Sequence, residues 1–292
     1  MRDNPRSTSI FLLVILSLIW GTSFILIKQG LKVFSADEVG SLRVAAASLF
    51  ILPVAIVHLR SLRSGDYWKL FLSGMMGIFI PAFLYATAQT RMDSSVAGIL
   101  NTLTPIFTMI VGAMIFKQRF TGYAIAGIML GFTGTVLLSF STGVDFGFNT
   151  FALLIVLACL FYATNLNFIK FKIPNLGAVA ITSVSLLLIG PFAFIYLFGF
   201  SDFAHKLESV EGAWKAFGFI VLLGFMSTAL ATILFNKLVK LSTPIFASSV
   251  TYLMPIVVVA WGALDGEKLY ANHFFGMAAV IAGVYLANRK RT

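Results

Sequence analysis

Charge is scarce in this sequence. Of its 292 residues only 11% are Asp, Glu, Lys or Arg, while 59% are hydrophobic. Soluble domains carry about a quarter charged residues. A soluble fold of this length has too little interior to hide so much apolar surface, so the mean hydropathy of +0.95 points to an integral membrane protein. Cysteine is nearly absent. Cys159 stands alone, which rules out a disulfide scaffold within the chain and any four-cysteine metal site. Histidine is sparse and scattered, at 58, 205 and 273. No His/Asp/Glu cluster gathers at one interface as an embedded enzyme would need, so no enzymatic activity, cofactor or metal is expected. Soluble mass is missing too. The longest connection between oily runs, about 199–216, leaves no room for the signalling domain of a sensor or scaffold.

What is there is a succession of apolar runs, near 10–28, 39–58, 70–90, 95–116, 121–140, 151–170, 176–198, 217–237, 244–264 and 271–288. Spanning a bilayer takes roughly 17 to 25 residues, and each run is long enough. None alternates as barrel strands do, so helices are predicted. Arg2 and Arg6 precede the first run as they would in a signal peptide. The stretch from Ile10 to Ile27 is too long for that role and no small-residue cleavage site follows, so no cleavage is expected. The net charge of +10 is scattered between the runs rather than gathered in a patch, so no nucleic-acid partner is expected.

Loop charges predict the orientation. With a cytoplasmic N-terminus, the inside holds fourteen cations: Arg2, Arg6, Arg60, Arg63, Lys69, Lys117, Arg119, Lys170, Lys172, Lys237, Lys240, Arg289, Lys290 and Arg291. The outside holds six: Lys28, Lys32, Arg91, Lys206, Lys215 and Lys268. Arg43 falls within a run. The bias recurs in every inside loop and places both termini in the cytoplasm of a multi-pass cell (inner) membrane protein.

The chain also repeats itself. Shifted by 142 residues, Trp20 meets Tyr162, Thr22 meets Thr164, Ser23 meets Asn165, and Ile27-Lys28 meets Ile169-Lys170. Further on, Trp68-Lys69 is answered by Trp214-Lys215, Pro53 by Pro191, and "NTLTPIF" (101–107) by "TYLMPIV" (251–257), with Pro105 against Pro255. Five runs per copy is an odd number, so the second copy enters from the opposite side. The predicted architecture is all-α, with ten transmembrane helices as two inverted five-helix repeats, 10–140 and 151–288, around a central cavity. Such repeats let one bundle rock against the other about a midplane site.

"WGTSFILIK" in the first run, "SLRVAAASLFILP" (41–53) in the second, "SSVAGILNTLTPIF" (94–107) in the fourth, and "TPIFASSVTYLMP" (243–255) leading into "GEKL" (266–269) resemble the EamA-type branch of the drug/metabolite transporter superfamily. The resemblance covers about 11–140 and 152–288. It implies ten helices with cytoplasmic termini, a cavity between the halves, and small-metabolite substrates, including amino acids and amines, often moved outward. The family's first repeat usually has a glutamate near where Gln118 stands here, while Glu267 keeps it in the second.

Polar groups at membrane depth are costly unless they face protein, water or a ligand. The candidates for substrate binding are Trp20, Thr22, Tyr85, Asn101, Tyr162, Asn165 and Tyr252. Pro105 and Pro255 are candidate helix kinks, each expected to free a carbonyl one turn back, at Asn101 and Thr251. The competing account of these polar groups is hydrogen bonding between helices without a ligand. Lys28 and Lys170 end their runs, and either snorkel to the headgroups or mark a gate or mouth on each face. Arg43 calls for a carboxylate, with Glu38 or Asp37 in reach as salt-bridge partners. The "GIMLGFTG" (127–134) and "GMAAVIAG" (276–283) stretches predict close helix packing, within the chain or across a dimer.

No Asp or Glu falls at mid-depth. That lack weighs against a buried proton relay and against a multiply charged cationic substrate. The expectation is an inner-membrane permease that exports small metabolites, amino-acid-like, zwitterionic or aromatic, by alternating access. Its partners are a small-molecule substrate and the lipid bilayer, and it acts as a monomer or homodimer. The alternatives are a carrier or exchanger for anionic or phosphorylated metabolites, and a non-transporting membrane scaffold or sensor.

Overall fold

A computed structural model describes residues 5–60, 62–141, 150–264 and 271–287, and among them every regular element is helical. Seven helices are long and apolar enough to cross a membrane, and three shorter apolar helices accompany them. In chain order they are α1 (Pro5–Gly30), α2 (Ala36–Leu59), α3 (Ser64–Ala88), α4 (Val96–Met114), α5 (Gly122–Ser141), α6 (Ala152–Lys172), α7 (Ala178–Gly199), α8 (Ala213–Leu241), α9 (Pro244–Ser248 continuing as Val250–Leu264) and α10 (Ala271–Ala287). Helices suit a bilayer because each satisfies its own backbone where no water can. Large apolar side chains face outward along them. Val57 and Phe275 are each 70% exposed, an apolar surface suited to contact with lipid.

Three of the long helices are not uniform α-helix. In α3, Met75–Phe79 winds as π-helix, as does Gly224–Leu230 in α8. In α4, Asn101–Leu103 tightens to a 3-10 turn and a fresh α-helix starts at Thr104, with Pro105 in its first turn where no backbone N–H is needed. Pro255 instead lies inside Val250–Leu264. The carbonyl expected to be freed at Asn101 accepts from the Thr104 hydroxyl at 2.8 Å.

Packing is closest where side chains vanish. A Cβ on Gly134 of α5 would stand 2.7 Å from the backbone nitrogen of Val280 and 2.8 Å from the carbonyl oxygen of Gly276, both on α10. The two small-residue stretches thus meet within the chain. At the start of α2, Ser35 and Glu38 form a reciprocal cap. The Glu38 carboxylate is almost fully buried and pairs at 2.7 Å with Lys206 on the short helix Phe203–Ser209. This corrects the expected Arg43–Glu38 bridge. Lys206 holds the carboxylate instead, and among the described residues neither Glu38 nor Asp37 pairs with Arg43.

Gly134→Leu should force α5 and α10 apart at the cost of about 3 kcal/mol. Thermal unfolding in detergent would show a clear fall in Tm, and an unchanged Tm would mean that the two backbones do not approach this closely.

Candidate functional site

The irregular segments of α3, α4 and α8 surround one cavity. It is lined by Trp20, Ser23 and Phe24 from α1, Arg43 from α2, Gly77 and Tyr85 from α3, Asn101 and Thr104 from α4, and Tyr162 and Asn165 from α6. From α8 come Ser227, Thr228, Thr232, Phe235 and Asn236, and from α9 Ser248, Thr251 and Met254. The space open to the centre of a water-sized sphere is about 80 Å³. A single water needs on the order of 10–15 Å³ by that measure, so about half a dozen water-sized groups fit.

Most polar groups on the wall are held by protein. The Tyr85 hydroxyl donates to Asn101 Oδ1 at 2.6 Å, and the Asn101 amide nitrogen approaches Met254 Sδ at 3.4 Å. Trp20 Nε1 donates to the Ser227 carbonyl at 2.9 Å, a carbonyl within the π segment of α8. The Ser73 hydroxyl donates to Asn165 Oδ1 at 2.8 Å. The Asn165 amide nitrogen lies against Gly77, where any Cβ would collide with it. Arg43 Nε donates to Thr228 Oγ1 at 2.6 Å. Aromatic rings frame these groups. Trp20 and Phe235 meet edge-on with centroids 4.8 Å apart, Phe24 and Tyr85 at 5.9 Å, and Tyr85 and Tyr162 at 6.1 Å.

Of the residues expected from sequence, Trp20, Tyr85, Asn101, Tyr162 and Asn165 converge on this cavity. Thr22 and Tyr252 are not in its lining. Thr22 donates to the carbonyl of Leu18 in its own helix. Tyr252 is fully buried against Gly131, and its hydroxyl donates to the Ile128 carbonyl at 3.0 Å, joining α9 to α5. Lys28 is largely exposed beside Asp93, at 3.8 Å. Lys170 donates to the carbonyls of Val239, Lys240 and Ser242 at the end of α8, and Lys240 returns a bond to Ile173 at the end of α6. Each cation satisfies terminal carbonyls of the other's helix. Gln118 donates to Asn167 Oδ1, tying the segment after α4 to α6. Glu267 lies outside the described residues. Sequence reasoning placed Arg43 in a salt bridge rather than the cavity. The signal that could have found it was its position one turn inside an apolar run.

The EamA-like transporter family model matches residues 7–140 and again 149–289. The chain belongs to this family. It is a membrane transporter by that membership. An uncharacterized transporter of Archaeoglobus fulgidus is 26% identical over 273 residues, covering 93% of this chain and 95% of that one. A Salmonella typhimurium protein described as a probable amino-acid metabolite efflux pump is 25% identical over 288 residues, covering 94% and 93%. An uncharacterized inner membrane transporter of Escherichia coli, YedA, is 22% identical over 277 residues, covering 93% and 87%. A solved crystal structure shares the fold, with a TM-score of 0.72 over 96% of each chain at 17% identity.

Tyr252→Phe removes the hydroxyl bond between α9 and α5. It should lower stability by about 1 kcal/mol and leave the KM for transport unchanged. A raised KM with unchanged Tm would instead place Tyr252 at the substrate.

Proposed function

We propose that the chain is an inner-membrane permease that exports small amino-acid-like, zwitterionic or aromatic solutes by alternating access. On this reading ten helices form two inverted repeats, 10–140 and 151–288, with both termini cytoplasmic. The observation that carries it is the cavity, whose polar and aromatic groups come from both halves of the chain: Trp20, Tyr85 and Asn101 from one, Tyr162, Asn165 and Thr228 from the other. A site shared by two bundles is what rocking of one against the other requires. The volume supports a solute of amino-acid size in this conformation. The printed name of the Salmonella relative agrees with that substrate class.

The repeat reading gains support from the helix irregularities. Trp68-Lys69 and Trp214-Lys215 open α3 and α8 at an offset of 146. At that offset the π segment beginning at Gly224 overlaps the one at Met75–Phe79.

Counterflow in proteoliposomes tests the transport reading, using labelled amino acids, amines and sugar phosphates with and without a pH gradient. Exchange of a neutral or zwitterionic solute that ignores the gradient is expected. Asn165→Ala should slow it about 10-fold with folded protein retained, and wild-type rates would remove Asn165 from the site. Topology has its own test. Cysteines placed in the 117–120 and 265–268 segments should label from opposite sides of the membrane, and labelling from one side would end the inverted-repeat model.

A further inference from the structure

Arg43 is a cation at membrane depth whose charge no carboxylate among the described residues meets. It is half-buried on α2 and lines the cavity. Among the described residues its one hydrogen-bond partner is the Thr228 hydroxyl, which accepts from Nε at 2.6 Å. The ion pairs among the described residues are Lys28 with Asp93 and Lys206 with Glu38, so the nearest acid on α2 is already engaged. A guanidinium presents five N–H donors in a planar fork, and here most of them are left for something other than protein.

The neighbouring wall has the same character. Asn165 spends its oxygen on Ser73 and leaves its amide nitrogen without an acceptor among the described residues. The Tyr162 hydroxyl, on the same wall, also makes no hydrogen bond to a described residue. Two acceptors beside them are taken, Asn101 Oδ1 by Tyr85 and the Ser227 carbonyl by Trp20. The guanidinium and the Asn165 amide thus offer donors beside one positive charge, and none of the described lining residues is acidic.

We infer that Arg43 anchors a carboxylate of the transported solute, and that the solute is a monocarboxylic acid with an apolar or aromatic body, amino acids included. This rests on the transport reading above and names its substrate class. One guanidinium balances one carboxylate and grips it bidentately. A phosphate dianion would need a second cation, and Arg43 is the one charged residue among the described lining residues. Phe24, Phe235 and Met254 supply apolar wall for the remainder of the solute. No acid waits to receive an ammonium, so the carboxylate rather than the amine decides recognition.

Matched pairs test this on the purified full chain, by thermal shift and by counterflow. The probes are phenylalanine against phenylalaninamide and phenylacetate against phenylacetamide, with phenethylamine and inorganic phosphate alongside. The acids should bind and exchange, and each amide should bind at least about 10-fold more weakly. Arg43→Gln should weaken acid binding about 30-fold and leave the amides unmoved, while Arg43→Lys restores part of the loss. Should Arg43→Gln fail to fold, the acid–amide pairs on the wild-type chain decide alone. Equal binding of acid and amide, full acid affinity in Arg43→Gln, or no binding by either acid overturns the assignment. Exchange of an amine or neutral solute without preference for acids overturns the anchor but leaves the transport reading standing. No exchange of any solute in the counterflow panel overturns both.

Discussion

A bilayer offers no hydrogen-bond partners, and the rest of this structure follows from that. Every polar side chain placed at depth must be met by protein, by water in a cavity, or by a solute. Thr108, Thr133 and Thr164 return their hydroxyls to carbonyls one turn back in their own helices. Asn167 is held from two sides, by Gln118 and by the Thr108 carbonyl, and Asn236 donates to Thr182 on α7. Ser41, Gln89 and Ser183 each keep one buried polar atom without a hydrogen bond away from the cavity, while Arg43, Tyr162 and Asn165 present theirs to the cavity.

The same constraint explains where the helices depart from regularity. A π segment or a 3-10 turn disturbs the i→i−4 ladder and exposes backbone groups, which membrane helices tolerate only where protein or a cavity can answer them. The irregular turns of α3, α4 and α8 all border the cavity. Each does local work there. The π segment of α8 offers the Ser227 carbonyl to Trp20. The π segment of α3 carries Gly77, whose lack of a side chain makes room for the Asn165 amide. The 3-10 turn of α4 directs Asn101 at Tyr85. Bent helices and polar wall are therefore one feature seen at two scales.

Much of this was legible in the sequence. Long apolar runs mark the helices because burial in lipid demands length and hydrophobicity over many residues, a signal too extended to miss. The small-residue stretches at 127–134 and 276–283 announced close packing, and α5 and α10 do pack there. Five of seven expected cavity residues line it, because a polar or aromatic group inside an apolar run is costly unless protein, water or a ligand meets it. Rotation about the helix axis was not legible. Thr22 and Tyr252 lie at suitable depth, yet each points to a partner elsewhere, and depth in an apolar run says nothing of azimuth. Partner choice was equally hidden. Glu38 and Arg43 are five residues apart on one helix, but the competitor Lys206 comes from far along the chain, and only the fold brings it near.

The choice made by Glu38 has a consequence for the cavity. Had it paired with Arg43, the wall would hold a neutral salt bridge and a balanced set of donors and acceptors, suited to any small polar solute. Because Lys206 takes Glu38, the guanidinium keeps its charge and most of its donors toward the cavity. Desolvating an unpaired cation is expensive at low dielectric, so closing the cavity on water alone is disfavoured relative to closing it on a solute that brings one negative charge. On the proposed reading, selectivity for an anionic group and the coupling of occupancy to closure would both rest on one residue, and on Lys206 rather than Arg43 holding the buried carboxylate of α2.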